Sequence, residues 1–338
     1  MPAGTATGFN SAAVWTDLVK LSPMVWMQGA QTALSQVQPV MDLYDIDSLD
    51  QFNRDYSYVA DSGFAKVVAE GADYSTRVIN QGDTLSLTAV KRGDAATITE
   101  DLVDGNKYRE IGQKLTNLGG SLFRTRARDA THVGWTFSMS TSFTDSEGNT
   151  VTIGPAKNGE ALYADTHTMA DGSTFDNLQG TPSPLGESTL RTLQDLTVDF
   201  IDENGIPVST WGTSGDLVLW TSMDVSMDHA AFRLCTQDWN YNSANRDIST
   251  FKGVFRHVKL AYLATTATGA RDTTKEKFYG ILDMALMKDG AIFADHTKPT
   301  PDGPFTDIYN GGMLWRSKSR YDIGFIYAHV GAASNSTT

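Results

Sequence analysis

Residues 85–102, with the sequence LSLTAVKRGDAATITEDL, set the order of elements on which the fold depends. The first part alternates, so that Leu85, Leu87 and Ala89 share one face of a strand and polar residues share the other. The last part begins a helix, because Thr99 is a typical cap and two acidic residues follow it. The stretch therefore predicts a strand that leads closely into a helix.

The residues before this strand predict its partner in a hairpin. NQGD at 80–83 is a turn signal, and DYSTRVI at 73–79 lies just before the turn. A hairpin this polar forms no core of its own, and an isolated two-stranded hairpin is only marginally stable in water. It must therefore lie on other protein, and a neighbouring subunit is one candidate. The predicted inter-subunit residues of the hairpin are Thr84, Leu85, Leu87 and Ala89.

The residues after the strand predict a long helix. Apolar residues recur three and four positions apart from Tyr108 to Phe137, which indicates one helix over 104–137, about 50 Å long at roughly 1.5 Å per residue. Three glycines argue against it, since each costs up to about 1 kcal/mol relative to alanine. These glycines are Gly112, Gly119 and Gly120.

Three arginines lie on the predicted helix at positions spaced by two, so they spread around it rather than forming one stripe. Arg124, Arg126 and Arg128 are interpreted as a solvated or interface surface, and contact with phosphate groups is the alternative. The rest of the composition gives little support to nucleic-acid binding, because the net charge is −13.

The first 55 residues predict an extended arm with short helical pieces. SAAVWTDLVK at 11–20 forms a short helix in this interpretation, and Pro23 and Pro39 interrupt the residues after it. The arm carries apolar anchors but little self-contained core. The anchors are Trp15, Met24 and Trp26.

The second half alternates helices and strands. The pattern predicts a strand, a turn and a strand over 138–154, a helix over 187–201, and a buried strand over 216–220. The helix SMDVSMDHAAFRLCTQ comes next, with Val225, Ala230, Phe232 and Leu234 as its apolar side chains. The last predicted elements are a proline loop at 295–305, a strand at 320–330 and a frayed tail at 331–338.

The composition excludes several classes of protein. The chain has 338 residues, of which 40% are hydrophobic, so a sizeable core is expected. Cys235 is the single cysteine, which excludes an internal disulfide and a cysteine-based zinc cluster. No stretch reaches the roughly 18 apolar residues of a membrane span, and the first residues are not those of a secretory signal.

The best candidate for a catalytic or metal site is the stretch ALYADTHTMADGSTFDNL at 161–178. It places Asp165, His167, Asp171 and Asp176 within a dozen residues. Asp165 and His167 would share one face of a strand, as a metal pair requires. The same residue types also build turns, and no further ligands are nominated elsewhere. A structural loop is therefore the main interpretation, and a metal-dependent hydrolase that uses Asp165, His167 and Asp171 is the alternative.

The order of these segments resembles the major capsid proteins of tailed bacteriophages, the family with the Hong Kong 97-like shell fold. The matching elements are a polar histidine loop at Leu162–His167, a helix at Ser188–Ile201, a strand and helix at Leu217–Leu234, and an Asn-rich segment at Asn240–Asp247. The strand and cap of residues 85–102 also look like the start of the family's spine helix.

The resemblance implies an α+β fold with five parts. These are an N-terminal arm at 1–55, an extended hairpin loop at 56–100, a spine helix and peripheral domain at 101–190, an axial domain at 191–310, and a returning peripheral strand with the C-terminal tail at 311–338. It also implies that the histidine loop is structural, and that the protein is neither an enzyme nor dependent on a cofactor or metal.

The implied function is assembly. Copies of the chain, as pentamers and hexamers, would form the icosahedral head shell of a virion around double-stranded DNA, without sequence specificity and without a membrane. Expected partners are a separate scaffolding protein, a portal protein and a decoration protein, with assembly in the host cytoplasm. An encapsulin-type nanocompartment, which has the same fold, is the alternative shell.

Overall fold

A computed structural model provides the fold. It describes residues 11–59, 67–68, 70, 73–74, 81–105, 107–154, 159–208, 210–213, 215–238, 250–306 and 312–336. The Asn-rich segment at 240–247 lies outside these residues. The helices are α1 (Ser11–Met41), α2 (Glu100–Asp104), α3 (Tyr108–Thr131), α4 (Glu187–Val198), α5 (Val225–Thr236) and α6 (Met284–Gly290). A π-helical turn, His132–Thr136, follows α3, and a short 3₁₀ turn spans Thr273–Lys275.

Fourteen strands are described. They are β1 (Asp45–Ser48), β2 (Asn53–Val59), β3 (Gln81–Thr88), β4 (Val90–Ile98), β5 (Ser142–Thr144), β6 (Thr150–Thr152), β7 (His167–Thr168), β8 (Thr174–Phe175), β9 (Leu217–Thr221), β10 (Phe255–Lys259), β11 (Tyr279–Asp283), β12 (Ala291–Thr306), β13 (Met313–Phe325) and β14 (Gly331–Ser334). They form sheets in the orders β1-β12-β13-β4 and β10-β9-β11-β14, and three ladders pair β2 with β3, β5 with β6 and β7 with β8. The chain is therefore α+β, as predicted.

The chain divides into two compact units, each built from separated segments. Unit 1 comprises residues 1–38, 89–126 and 295–321, and unit 2 comprises 39–88, 127–294 and 322–338. The five parts predicted from the resemblance are continuous ranges of the sequence, whereas these two units are sets of separate segments that contact one another. The five-part division therefore remains a prediction.

In unit 1, α1 and α3 pack backbone against backbone. A Cβ atom added to Gly29 would lie 2.0 Å from the carbonyl oxygen of Thr116, and one added to Gly119 would lie 2.1 Å from that of Trp26. No side chain fits at either distance, so both positions require glycine. Glycine disfavours the interior of a helix, but the close approach of α1 requires it at Gly119.

The prediction of an extended N-terminal arm is wrong, because α1 is one helix of 31 residues that contains Pro23 and Pro39. A proline inside a helix costs about 3 kcal/mol. The helix also buries large apolar side chains, among them Trp26, Val37 and Val40. Full burial of a large apolar side chain contributes about 1.5–3 kcal/mol, so packing of these side chains offsets the prolines.

The predicted long helix is shorter than expected. It runs over Tyr108–Thr131, about 36 Å at roughly 1.5 Å per residue, and not over 104–137. The preceding short helix α2 ends where the Gly105 N–H donates to the carbonyl oxygens of Asp101 and Val103. At the other end the helix widens into the π-helical turn, whose five residues are all buried. The first end is therefore set by a local break at Gly105, and the second by the buried π-helical turn, which the apolar spacing does not show.

The core of unit 2 is the sheet β10-β9-β11-β14. Strand β9 is buried at all five residues, as its apolar run predicts, and it pairs parallel to β10 and antiparallel to β11. Helix α4 buries Leu190 and Leu193 in this core. The segment predicted to be a frayed tail is instead β14, a fully buried strand that pairs with β11.

The predicted proline loop is also a strand. Residues 295–305 lie within β12, which is 16 residues long. Pro299 and Pro301 are two apart, so their nitrogens lie on the same edge and the other edge can still pair with a neighbour. Strand β12 lies beside β13 in the sheet order. The spacing of Pro299 and Pro301 is therefore compatible with a strand.

Candidate functional site

The histidine loop is held by its own side chains. Strands β7 and β8 pair His167 with Phe175, and His167 is only 1% exposed. Its Nδ1 lies 3.1 Å from Glu160 Oε2, and its Nε2 lies 3.0 Å from Asn177 Oδ1. Burial lowers the pKa of His167, and the hydrogen bonds to Asn177 and Glu160 act in the opposite direction. A side chain this enclosed cannot meet a substrate.

Asn177 connects the loop to the rest of unit 2. Its Nδ2 donates to the carbonyl oxygens of Leu162 and Ala328, each at 2.9 Å. Its Oδ1 accepts from the backbone N–H of Ala164 at 2.9 Å, as well as from His167. All the polar atoms of this buried amide are therefore used for structure, as buried polar groups generally are.

The carboxylates of the loop lie at the surface. Asp165, Asp171 and Asp176 are all exposed, whereas the histidine is buried. Asp171 accepts from the backbone N–H and the hydroxyl of Ser173, which closes a turn. Within the described residues, no group of three or more histidine, cysteine, aspartate or glutamate side chains is placed to hold a metal ion. The geometry therefore favours the structural interpretation over the hydrolase.

Two other histidines are buried in unit 2 with strongly lowered pKa values. Burial, together with the charges of Arg128 and Lys275, lowers the pKa of His132 to about 3. Burial also lowers the pKa of His329 to about 3, with a smaller contribution from His167. Within the described residues, Nδ1 of His329 is buried without a hydrogen-bond partner, as expected for a neutral ring.

We predict that the protein loses stability in acid because of these two residues. Between about pH 6.5 and pH 3 the unfolded chain protonates both histidines while the folded chain leaves them neutral. The free energy of unfolding should therefore fall as the pH falls through this window, by up to about 1.4 kcal/mol per pH unit for each histidine. Urea unfolding at several pH values measures the slope. His329→Phe keeps a ring against Tyr327 and should reduce the slope, and an unchanged slope would contradict the assignment.

The three arginines of α3 have different environments, and the predicted solvated or interface surface is wrong for Arg126. Arg126 is buried in unit 1, and its guanidinium forms hydrogen bonds with Asp295 at 2.7 and 3.1 Å and with Ser319 Oγ at 3.1 Å. It also lies over the ring of Tyr321. Arg126 is therefore a buried part of the fold of unit 1.

The other two arginines are more accessible. Arg128 is half-buried and pairs with the neighbouring Asp129 at 2.9 Å. Arg124 is exposed and points along α3, with Nη2 3.5 Å from the carbonyl oxygen of Asn117. Arg124 alone of the three therefore fits the predicted solvated or interface surface.

The predicted hairpin pairs differently from expectation. Strand β3 pairs with β2, and most of residues 73–79 lies outside the described part of the chain. Leu87 is 3% exposed and Ala89 is also buried, whereas Leu85 is half-buried and Thr84 is exposed. A Cβ atom added to Gly324 would lie 2.8 Å from Leu87. The chain itself therefore covers Leu87, and the argument that a neighbour must do so is wrong. Thr84 stays a predicted contact.

We predict that Leu87→Ala destabilises the monomer. The substitution leaves a cavity where Leu87 packs against Gly324, and should lower the free energy of unfolding by about 2–3 kcal/mol. Thr84→Ala on the same strand is exposed and should change it by less than about 0.5 kcal/mol. Urea unfolding of both variants measures the difference. Equal stabilities would show that Leu87 is not packed within the chain.

The three predicted anchor residues of the N-terminal arm also differ in their environments. The side chain of Trp15 lies outside the described part of the structure. Trp26 is buried in unit 1, where its ring centroid lies 6.5 Å from that of Phe123. Met24 is 69% exposed, and it shares the outer surface of α1 with other exposed apolar side chains. These are Leu21, Met27 and Leu34.

A second exposed apolar surface, on α5, was missed. Val225 and Phe232, named above among the apolar side chains of this helix, are 68% and 54% exposed, and Met223, just before the helix, is also exposed. The buried face of α5 instead carries Met227, Ala231 and Cys235. These three residues are spaced by four, and this spacing could have identified the inner face from the sequence.

Comparison of the fold with solved structures gives matches over most of the chain. The asymmetric unit of the bacteriophage PhiM1 mature capsid matches with a TM-score of 0.52 and 11% identity, over 87% of this chain and 86% of that one. Gordonia phage Cozz matches with a TM-score of 0.50 and 10% identity, over 87% and 85%. A virus-like particle from Pyrococcus furiosus matches with a TM-score of 0.50 and 6% identity, over 92% and 98%.

These matches define the fold. The chain has the architecture of proteins that form virus and virus-like shells. More particularly, it has the Hong Kong 97-like fold of tailed-phage capsids, as the order of its segments predicted. No protein-family model and no curated protein sequence matches the chain. No helix within the described residues is both long and apolar enough to cross a bilayer.

Proposed function

We propose that this chain is the major capsid protein of a tailed bacteriophage and that it assembles into an icosahedral head shell around double-stranded DNA. The observation that carries the proposal is the shared fold with the PhiM1 capsid over 87% of the chain. The histidine loop supports the proposal indirectly, because its candidate catalytic residues form hydrogen bonds that hold the loop. The proposed role is structural, without catalysis or a cofactor.

The exposed apolar surfaces support self-assembly. The outer face of α1 and the outer face of α5 each carry several exposed apolar side chains. Exposed apolar groups of this kind are typical of surfaces that bind other proteins. A closed shell forms many such contacts at once, so each single contact can be weak. The net charge of −13 suits a container that encloses DNA without binding it tightly.

The remaining assignments follow from the same proposal. Pentamers and hexamers of the chain form the shell, with Thr84 of the hairpin and Met24 of α1 among the inter-subunit residues. A separate scaffolding protein, a portal protein and a decoration protein are the proposed partners. The protein is located in the virion after assembly in the host cytoplasm, and it contacts DNA without sequence specificity.

The test is expression of the chain alone and together with its genomic neighbours, followed by gel filtration and negative-stain electron microscopy. Hollow uniform shells, or rings of five or six subunits, are the expected result. A chain that stays monomeric with every neighbour present would overturn the proposal.

We predict that Phe232→Asp prevents assembly and leaves the fold intact. Phe232 is exposed in the monomer, so a charge there costs little stability, but it would be desolvated at an interface between subunits. The concentration needed for assembly should rise at least about tenfold. Light scattering measures assembly, circular dichroism checks the fold, and Phe232→Tyr is the conservative control. Normal assembly of the aspartate variant would remove α5 from the interface.

A shell other than a phage head, such as a protein-filled compartment, is the second candidate, because the chain also matches a virus-like particle from Pyrococcus furiosus. The two candidates differ in content and in genomic context. A neighbouring gene for a portal or terminase, together with nuclease-protected DNA inside the particles, supports the phage head. A co-purifying enzyme in place of DNA supports the compartment.

A further inference from the structure

Strand β4 of unit 1 has one edge that faces a groove. It is the last strand of its sheet, and it pairs with β13 along Val90–Ile98. In the described part of the chain no strand pairs with its other edge. That edge borders an open groove of about 670 Å³, lined by residues 94–97 of β4 and by one face of α3. We call this feature the edge groove.

The backbone at this edge is held by side chains in place of a strand. The Ala95 N–H donates to Asp94 Oδ1 at 2.8 Å, and the Thr97 carbonyl oxygen accepts from Lys114 Nζ at 3.3 Å. In an antiparallel strand, the N–H and C=O of one residue point to the same side, and every second residue repeats that direction. Both Ala95 and Thr97 therefore direct their backbone groups to the edge groove. These exposed side-chain contacts can be exchanged for those of an incoming strand.

The groove is also basic. Its wall on α3 carries Lys114 and Arg124, together with the polar side chains of Asn117 and Ser121. Asp94 is the single carboxylate among the lining residues, and it is already bound to the Ala95 N–H. The groove therefore attracts negative charge, although the chain as a whole is acidic.

The spacing of the two cations defines the ligand. Arg124 points back along α3, with Nη2 3.5 Å from the carbonyl oxygen of Asn117, which is three residues after Lys114. The two charged groups are therefore about one helical turn apart along the axis, roughly 5 Å. Positions two apart on an extended peptide lie on the same face and are about 6.5–7 Å apart, so two carboxylates at such positions match the two cations.

We propose that the edge groove binds an extended acidic peptide segment, which pairs with β4 through the backbone of Ala95 and Thr97 and with Lys114 and Arg124 through its carboxylates. Main-chain pairing supplies affinity in such complexes, and the side chains supply specificity. The proposal does not depend on shell formation, because all its residues lie in one unit of one chain.

The experiment uses the full chain and a fluorescein-labelled peptide of alternating threonine and valine with two glutamates two positions apart. Fluorescence anisotropy at low salt should give a dissociation constant of about 100 μM or tighter. The variant Lys114→Glu with Arg124→Glu should weaken binding at least about tenfold. The matched control carries Lys20→Glu and Lys298→Glu, two exposed lysines outside the groove, and should bind like the parent. Hydrogen exchange of the segment 94–98 should slow in the complex.

Several results would overturn the proposal. The first is absence of binding up to about 1 mM peptide, since a strand-pairing site of this kind should be detectable at that concentration. The second is equal binding of the same peptide with lysines in place of its glutamates, or of the groove variant. The third is peptide binding without slower hydrogen exchange at 94–98. Tighter binding of a single-stranded oligonucleotide, lost in the groove variant, would also overturn the proposal, because it would assign the cations to phosphate.

Discussion

Asp295→Ala should lower the free energy of unfolding by about 3–5 kcal/mol. Asp295 and Arg126 form a bidentate ion pair in unit 1, and their side chains are only 2% and 7% exposed. Removing the carboxylate leaves the guanidinium buried, with the hydroxyl of Ser319 still accepting one of its hydrogen bonds. The cost is large because the charge stays desolvated and loses the group that compensated it.

Two variants separate this effect from simple loss of charge. Arg126→Met combined with Asp295→Leu removes both charges, and should recover much of the stability lost in the single variant. Glu187→Ala breaks the exposed ion pair with Arg191, and should change stability by less than about 1 kcal/mol. Urea unfolding measures all three variants. A loss at Asp295 no larger than that at Glu187 would show that the pair is not buried in solution.

A chain that ends at Val330 should not fold into a stable protein. The truncation removes β14, whose residues are all buried and which pairs with β11 at the edge of the central sheet. Ala333 also accepts from the N–H of Gln179 and donates to the carbonyl oxygen of Asn177, so the histidine loop loses its attachment. Unpaired buried backbone groups and an uncovered core face are both strongly destabilising.

The control is a chain that ends at Ser336, which keeps the whole of β14. Its melting temperature should stay within about 2 °C of that of the full chain. Thermal unfolding followed by circular dichroism, with gel filtration to detect aggregation, measures both truncations. Cooperative unfolding of the shorter chain near the parent temperature would show that the C-terminal segment is the frayed tail that its small polar residues suggest.

Several elements could be predicted because their signal is local. The alternation at Leu85 and Leu87 gives β3, the apolar run at 217–221 gives β9, and the spacing of Leu190 and Leu193 gives the buried face of α4. The turn residues at 161–178 indicated a structural loop, and the hydrogen bonds of that loop agree. In each case a repeat of two or 3.6 residues, or a turn preference, acts within a few positions of the chain.

Predictions for other elements were wrong because contacts with distant segments of the chain determine their structure. Pro23 and Pro39 argue against a helix locally, yet α1 continues through both because one of its faces is buried. Residues 331–338 are small and polar, yet β14 is buried because β11 offers a free edge to it.

The sequence by itself determined the order of the elements, the α+β class and the resemblance to phage capsid proteins, because these depend on short-range periodicity and on the succession of segments. The tertiary structure decided which groups meet. It buried Arg126 against Asp295, covered Leu87 with the chain's own Gly324, and left the outer face of α5 exposed. The physical reason is that burial and pairing depend on residues far apart in the chain, whose approach no local pattern records.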